Sequence, residues 1–126
     1  MVQTDLTQLN RECISWREDL KEFRNNLMAL RSSLQELIKK PIDKNLLPQV
    51  EHYENQIDIQ ENNINELKHQ IKDHERKASW EIQLHSGVIS DATWVVHEEL
   101  LDRYEVMMHV LADLKEEFEV FLKKLS

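Results

Sequence analysis

Apolar side chains recur along this chain at alternating spacings of three and four residues, the period of a helix that buries one stripe. The most regular run is Leu6, Leu9, Cys13, Trp16, Leu20, Phe23, Leu27, Leu30, Leu34 and Leu37, with no polar member. A second runs through Leu46, Val50, Tyr53, Ile57, Gln60, Ile64, Leu67, Ile71, His74 and Ala78, with Gln60 and His74 as polar exceptions. A third runs through Trp94, His97, Leu101, Tyr104, Met108, Leu111, Lys115, Phe118, Leu122 and Leu125, broken by His97 and Lys115. Beside it lies a further apolar line, Leu100, Met107, Leu114 and Phe121, spaced by sevens. The third helix is thus apolar over a wider arc than one neighbour needs, so it must touch two helices, or one helix and a partner chain.

Breaks in the pattern predict helices over about 5–39, 45–82 and 91–125. Thr4 is placed to cap the first helix, and Pro41 stops it, because proline neither donates an amide hydrogen nor lets its predecessor stay helical. Lys39 and Lys40 suit the negative end of that helix. Asp43 or Asn45 can cap the second helix, and Pro48 fits only in its first turn. Gly87, the sole glycine, marks the second reversal, and Ser90 or Asp91 can cap the third helix. At about 1.5 Å per residue, each helix is roughly 50 Å long.

The seams and the turns agree on a topology. With Leu20 facing Leu67, Trp16 meets Ile71, Phe23 meets Ile64 and Leu37 meets Val50, and the centre of the pairing falls beside Asp43. With Leu67 facing Met108, Ile64 meets Leu111 and Ile57 meets Phe118, and that centre falls on Gly87. The predicted fold is all-α: one domain over 1–126, an antiparallel up-down-up bundle of three long, coiled-coil-like helices. At the seam edges, Arg24 is expected opposite Glu61 and Arg31 opposite Glu54.

Composition narrows the function. About a third of the residues are charged and the net charge is −8, with the acid concentrated toward the third helix. No basic face is available for a phosphate backbone, so nucleic-acid binding is not expected. A single cysteine excludes an intramolecular disulfide and fits a reducing compartment. No apolar stretch approaches the roughly 20 residues of a membrane span, and the N-terminal residues lack a signal-peptide pattern, so a cytoplasmic protein without membrane contact is expected.

Candidate chemistry lies in the polar defects. Cys13 faces His74 in the derived register, and His97 falls one layer away, opposite Ala78 and Leu9. Thiolate and imidazole are ligands of zinc-like ions, so these three residues form a candidate metal site, with Glu75 and Glu98 adjacent to the histidines. The plain alternative is packing: cysteine buries readily, and a histidine near a helix end can reach water or a carbonyl. Gln60 and Lys115 fall in one layer with Leu27, a polar layer that fixes register while the lysine reaches outward. Glu66 and His69 have the spacing of a di-iron bundle motif but fall on the outer side of helix 2, and Glu105 with His109 has the wrong spacing. Trp80, Val88, Ile89 and Val95 could close the end of the bundle near Gly87 or meet a partner there. One glycine cannot supply both a phosphate cradle and the turn at 87, and no nucleophile elbow or catalytic triad is visible, so no enzyme and no cofactor are expected.

The stretches EHYENQIDIQ (51–60), LKHQIKDHE (67–75) and DLKEEFEVFLKK (113–124) resemble segments of small bacterial helical-bundle proteins with no assigned activity. That resemblance implies an all-α fold and a bacterial cytosolic setting, and it transfers no functional residue. The expected function is therefore a noncatalytic scaffold or protein-interaction module. It would homodimerise through Leu100, Met107, Leu114 and Phe121, with a metal-binding bundle using Cys13, His74 and His97 as the alternative.

Overall fold

Chain reversals at Pro41 and Gly87 divide the protein into three helices: α1 Val2–Ile38, α2 Leu47–Leu84 and α3 Asp91–Lys124. The computed structural model describes residues 2–84 and 87–125, with side chains from residue 6 onward; His85 and Ser86 of the second reversal lie outside it. Thr4 is already inside α1, so it does not cap that helix, and its side chain is outside the described residues. In the first reversal, Lys44–Leu46 forms a single 3-10 turn that delays α2 to Leu47. Asp43 organises the turn: its carboxylate accepts from the Asn45 amide at 3.0 Å and its carbonyl from the Leu46 amide at 2.9 Å. Pro48 then sits in the first turn of α2, where no amide donor is needed.

The second reversal sets the register of α3. Gly87 takes φ 87°, open to glycine without a Cβ clash, and its amide donates to the Ile82 carbonyl at 2.8 Å. Ser90 caps α3 by accepting from the Thr93 amide at 3.2 Å. The Ser90 amide also donates to the Glu81 carboxylate, so the chain has already returned along α2 before α3 begins.

The seams of α1 and α2 hold. The buried residues of α2 are the expected seam, Gln60 and His74 included. Arg24 meets Glu61 at 3.5 Å, as expected. Arg31 does not meet Glu54; it pairs with Asp58 at 2.5 Å and Glu61 at 3.4 Å. Helical side chains lean toward their own N-terminus, and in an antiparallel pair this carries Arg31 toward higher-numbered residues of α2.

α3 departs from the expected pairing by one helical turn. Phe118 packs edge-on against Tyr53, ring centres 5.2 Å apart, rather than opposite Ile57, and His97 faces His74 rather than Ala78. Non-helical residues between Gly87 and Asp91 explain the shift: extended chain advances about 3.3 Å per residue against 1.5 Å in a helix, so three such residues gain about one turn.

The apolar line expected to form a dimer face is internal. Leu100, Met107, Leu114 and Phe121 are each at most 9% exposed within the single chain. Phe121 packs on Tyr53 at 5.1 Å, Met107 shares a groove with Leu67, and Leu100 lies beside His74. This line therefore fills the α2 side of α3. The neighbouring line turns to α1, where Tyr104 stacks between Trp16 (6.0 Å) and Phe23 (6.2 Å) and donates its hydroxyl to Asp19 at 2.6 Å. The wide apolar arc serves two helices of the same chain. For the same reason the Gln60–Lys115 layer does not form: Gln60 borders the α2–α3 groove, and exposed Lys115 borders the α1–α3 groove beside Leu27.

Candidate metal centre

The one-turn shift of α3 brings the three candidate ligands into a single layer. Cys13 lies on α1 between Leu9 and Trp16, His74 on α2 between Ile71 and Ala78, and all of these neighbours are buried seam residues. His97 reaches the same layer from α3. The expectation that His97 sits a layer away is thereby corrected. One donor atom from each residue lies within 4.8 Å of the others. His74 Nε2 is 3.0 Å from His97 Nδ1, and Cys13 Sγ is 3.9 Å from that same nitrogen. Exposure is 0% for Cys13, 4% for His74 and 3% for His97.

The second nitrogen of His97 is held from behind. Its Nε2 lies 2.8 Å from Glu12 Oε2. Burial alone would raise the Glu12 carboxyl, but hydrogen bonds from Gln8 and His97 and the field of His97 bring it below the ordinary value. An ionised carboxylate only accepts, so His97 carries its proton on Nε2, and in the neutral ring Nδ1 presents a lone pair to the other two donors. Backing of a ligand histidine by a carboxylate recurs around protein-bound metals, where it fixes the tautomer and the ring orientation.

Aromatic rings wall the layer. Trp16 lies 4.7 Å from His97, and Trp94 meets the same ring edge-on at 5.3 Å. Toward the outside, Arg17 grips Glu75 with two hydrogen bonds, at 2.6 and 3.1 Å. Glu75, flagged in the sequence as a neighbour of His74, is therefore committed to an ion pair, and Glu98 is exposed.

The titration of these groups follows from their burial. Desolvation lowers His74 to about 4, with further lowering by the fields of His97 and Lys77, so its ring is neutral at pH 7 and its nitrogens are free to donate or to ligate. Desolvation pushes the Cys13 thiol up to about 12; Glu75 and Glu12 raise it further and Arg17 opposes them. A thiol so raised is no nucleophile at pH 7, and only a cation placed against the sulfur would make it a thiolate there.

Two chemistries fit. The contacts serve as a hydrogen-bond chain, His74 Nε2–H to His97 Nδ1 and His97 Nε2–H to Glu12, and among the described residues no buried side-chain nitrogen or oxygen lacks a partner. They also serve as a ligand set. Metal–donor bonds of about 2.0–2.3 Å place donors roughly 3.3–3.6 Å apart. Two of the three separations are 3.0 and 3.9 Å, and Cys13 and His74 lie within 4.8 Å, so ion binding needs a small inward adjustment of the side chains.

Sequence reasoning missed Glu12. Its one signal was adjacency to Cys13; its contact with His97 follows from the register of α3, which the sequence did not supply. Glu66, His69, Glu105 and His109 are all exposed, as their outward positions required. At the end of the bundle Ile89 is buried, whereas Trp80, Val88 and Val95 are exposed.

The fold and this layer define an all-α three-helix bundle with a buried cysteine–histidine–histidine cluster. No protein-family model, curated protein or solved structure matches the chain. No helix among the described residues is long and apolar enough to cross a membrane.

Proposed function

We propose that this protein is a metal-binding helical bundle that holds one ion between Cys13, His74 and His97. One observation carries the reading: each helix contributes one donor, and the three meet within 4.8 Å in a buried layer. The Glu12 contact on the far nitrogen of His97 supports it, because the nitrogen facing the other donors is then the one with a lone pair. A bound ion would staple all three helices at the end of the bundle remote from Pro41, a structural rather than catalytic role. Elemental analysis of untagged protein, with melting curves recorded on adding zinc or copper, tests this. The expected result is one ion per chain and a raised melting temperature, both lost in Cys13→Ser. Protein that holds no metal and melts unchanged with either ion overturns it.

A second reading, a noncatalytic protein-interaction module, is favoured by a separate feature. Trp80 (64% exposed), Leu84 (62%) and Val88 (53%) share one surface depression beside the Gly87 reversal. Large apolar side chains grouped in the open are the usual mark of a contact surface. Light scattering at micromolar concentration addresses the homodimer: a particle of 15.1 kDa excludes it, and doubled mass that reverts in Trp80→Ser supports it.

A further inference from the structure

We infer that the ion selected by the Cys13–His74–His97 layer is monovalent copper, held three-coordinate by one thiolate and two imidazoles. The inference rests on the metal-binding reading above and adds which ion and which coordination number.

Coordination number comes first. Among the described residues the group comprises three donors and no more. The nearest carboxylate, Glu12, is bonded to His97 Nε2, the nitrogen turned away from the other donors, and cannot reach the space before Nδ1 without giving up that bond. Glu75 is engaged by Arg17 through both carboxylate oxygens. Burial limits water to one approach, the open groove between α2 and α3 that His74 borders with Lys77 and Thr93. Cys13 and His97 are almost wholly inaccessible, with Trp16 and Trp94 against His97 and Leu9 and Ala78 buried in the adjoining seam positions. Zinc takes four ligands in structural and catalytic sites alike, the fourth being water when the protein supplies three. A layer with three protein donors and restricted access for water fits an ion content with three.

Charge agrees. The thiolate is a soft donor and the imidazoles are borderline, a set open to copper(I) and to zinc alike, so coordination number and charge decide between them. One positive charge on the ion cancels the thiolate, so the assembled centre is neutral in a dry interior where net charge is costly. A divalent ion would leave one positive charge, and the carboxylate that would offset it, on Glu12, has a side chain 35% exposed and screened by solvent. Binding balances simply: the thiol proton leaves to solvent, sulfur and both histidines donate to the ion, and His74 moves its proton from Nε2 to Nδ1. No electron is transferred.

The experiment uses the full chain stripped of metal and kept under nitrogen. Copper(I) is delivered in competition with bicinchoninate, and zinc in a parallel competition with a chromogenic zinc chelator. X-ray absorption then reports the coordination shell. The expected result is one copper per chain, bound at least about tenfold more tightly than zinc, with one sulfur and two nitrogen neighbours and no fourth ligand. Cys13→Ser, checked for helicity by circular dichroism, loses that binding. Zinc bound as tightly as copper or more so, a four-coordinate copper shell, or copper affinity unchanged in a folded Cys13→Ser overturns the copper assignment while leaving a metal-binding bundle. Failure of both ions to bind overturns the metal-binding reading itself.

Discussion

Single residues decide whether the buried layer can hold an ion. Cys13 and His74 are visible in the sequence as seam positions, but their chemistry depends on burial. In water the thiol would titrate near 8.5, and here it is raised to about 12. Glu12 is expected to act from behind His97: Glu12→Ala, which frees that ring, should weaken metal binding about 10- to 100-fold in a chelator competition while leaving helicity unchanged. Tyr104 makes a prediction independent of any metal. Burial, with the hydrogen bond to Asp19 and the negative charges of Asp19 and Glu105, raises its phenol to about 12. The unfolded phenol ionises near pH 10, so the folded state holds the proton more tightly, and this contribution to stability is complete below pH 10 and lost as pH rises toward 12. Alkaline unfolding followed by phenolate absorbance should begin at higher pH in the wild type than in a variant with Asp19→Ala.

Whole elements were legible where periodicity is local. The α1 and α2 stripes are the buried faces, and Asp43, Pro48, Gly87 and Ser90 act where turn chemistry places them. The rotational setting of α3 was not legible. Its two apolar lines are equally good helix faces, and the sequence does not say which neighbour takes which. The line Leu100, Met107, Leu114 and Phe121 goes to α2 because residues after Gly87 run back along α2 before helix resumes. Leu114→Ala should therefore act as a core truncation, lowering stability by about 2–5 kcal/mol in denaturant unfolding, with no change of mass in light scattering. A mass change at unaltered stability would instead place Leu114 at an interface.

At the scale of the molecule, the cluster is a buried polar link between three helices that elsewhere meet through apolar seams edged by polar contacts such as Arg17–Glu75 and Tyr104–Asp19. An ion that binds only the folded chain stabilises it by mass action, about 2.7 kcal/mol at a hundredfold excess over the dissociation constant. For a domain of this size that corresponds to a melting increase of roughly 5–10 °C, absent in Cys13→Ser and strongly reduced in His74→Ala or His97→Ala. Hydrogen exchange should slow most around residues 9–16, 71–78 and 94–100, where the ligands leave each helix, and least near the Pro41 turn.

The sequence alone determined that there are three helices, where they reverse and which stripes of α1 and α2 are buried, because helix periodicity, proline and glycine act over a few residues. Only the tertiary structure decided that Cys13, His74 and His97 share one layer with Glu12 behind it. That depends on how far the chain advances between Gly87 and Asp91 and how α3 is rotated, distances set by packing between helices rather than by the order of residues within one.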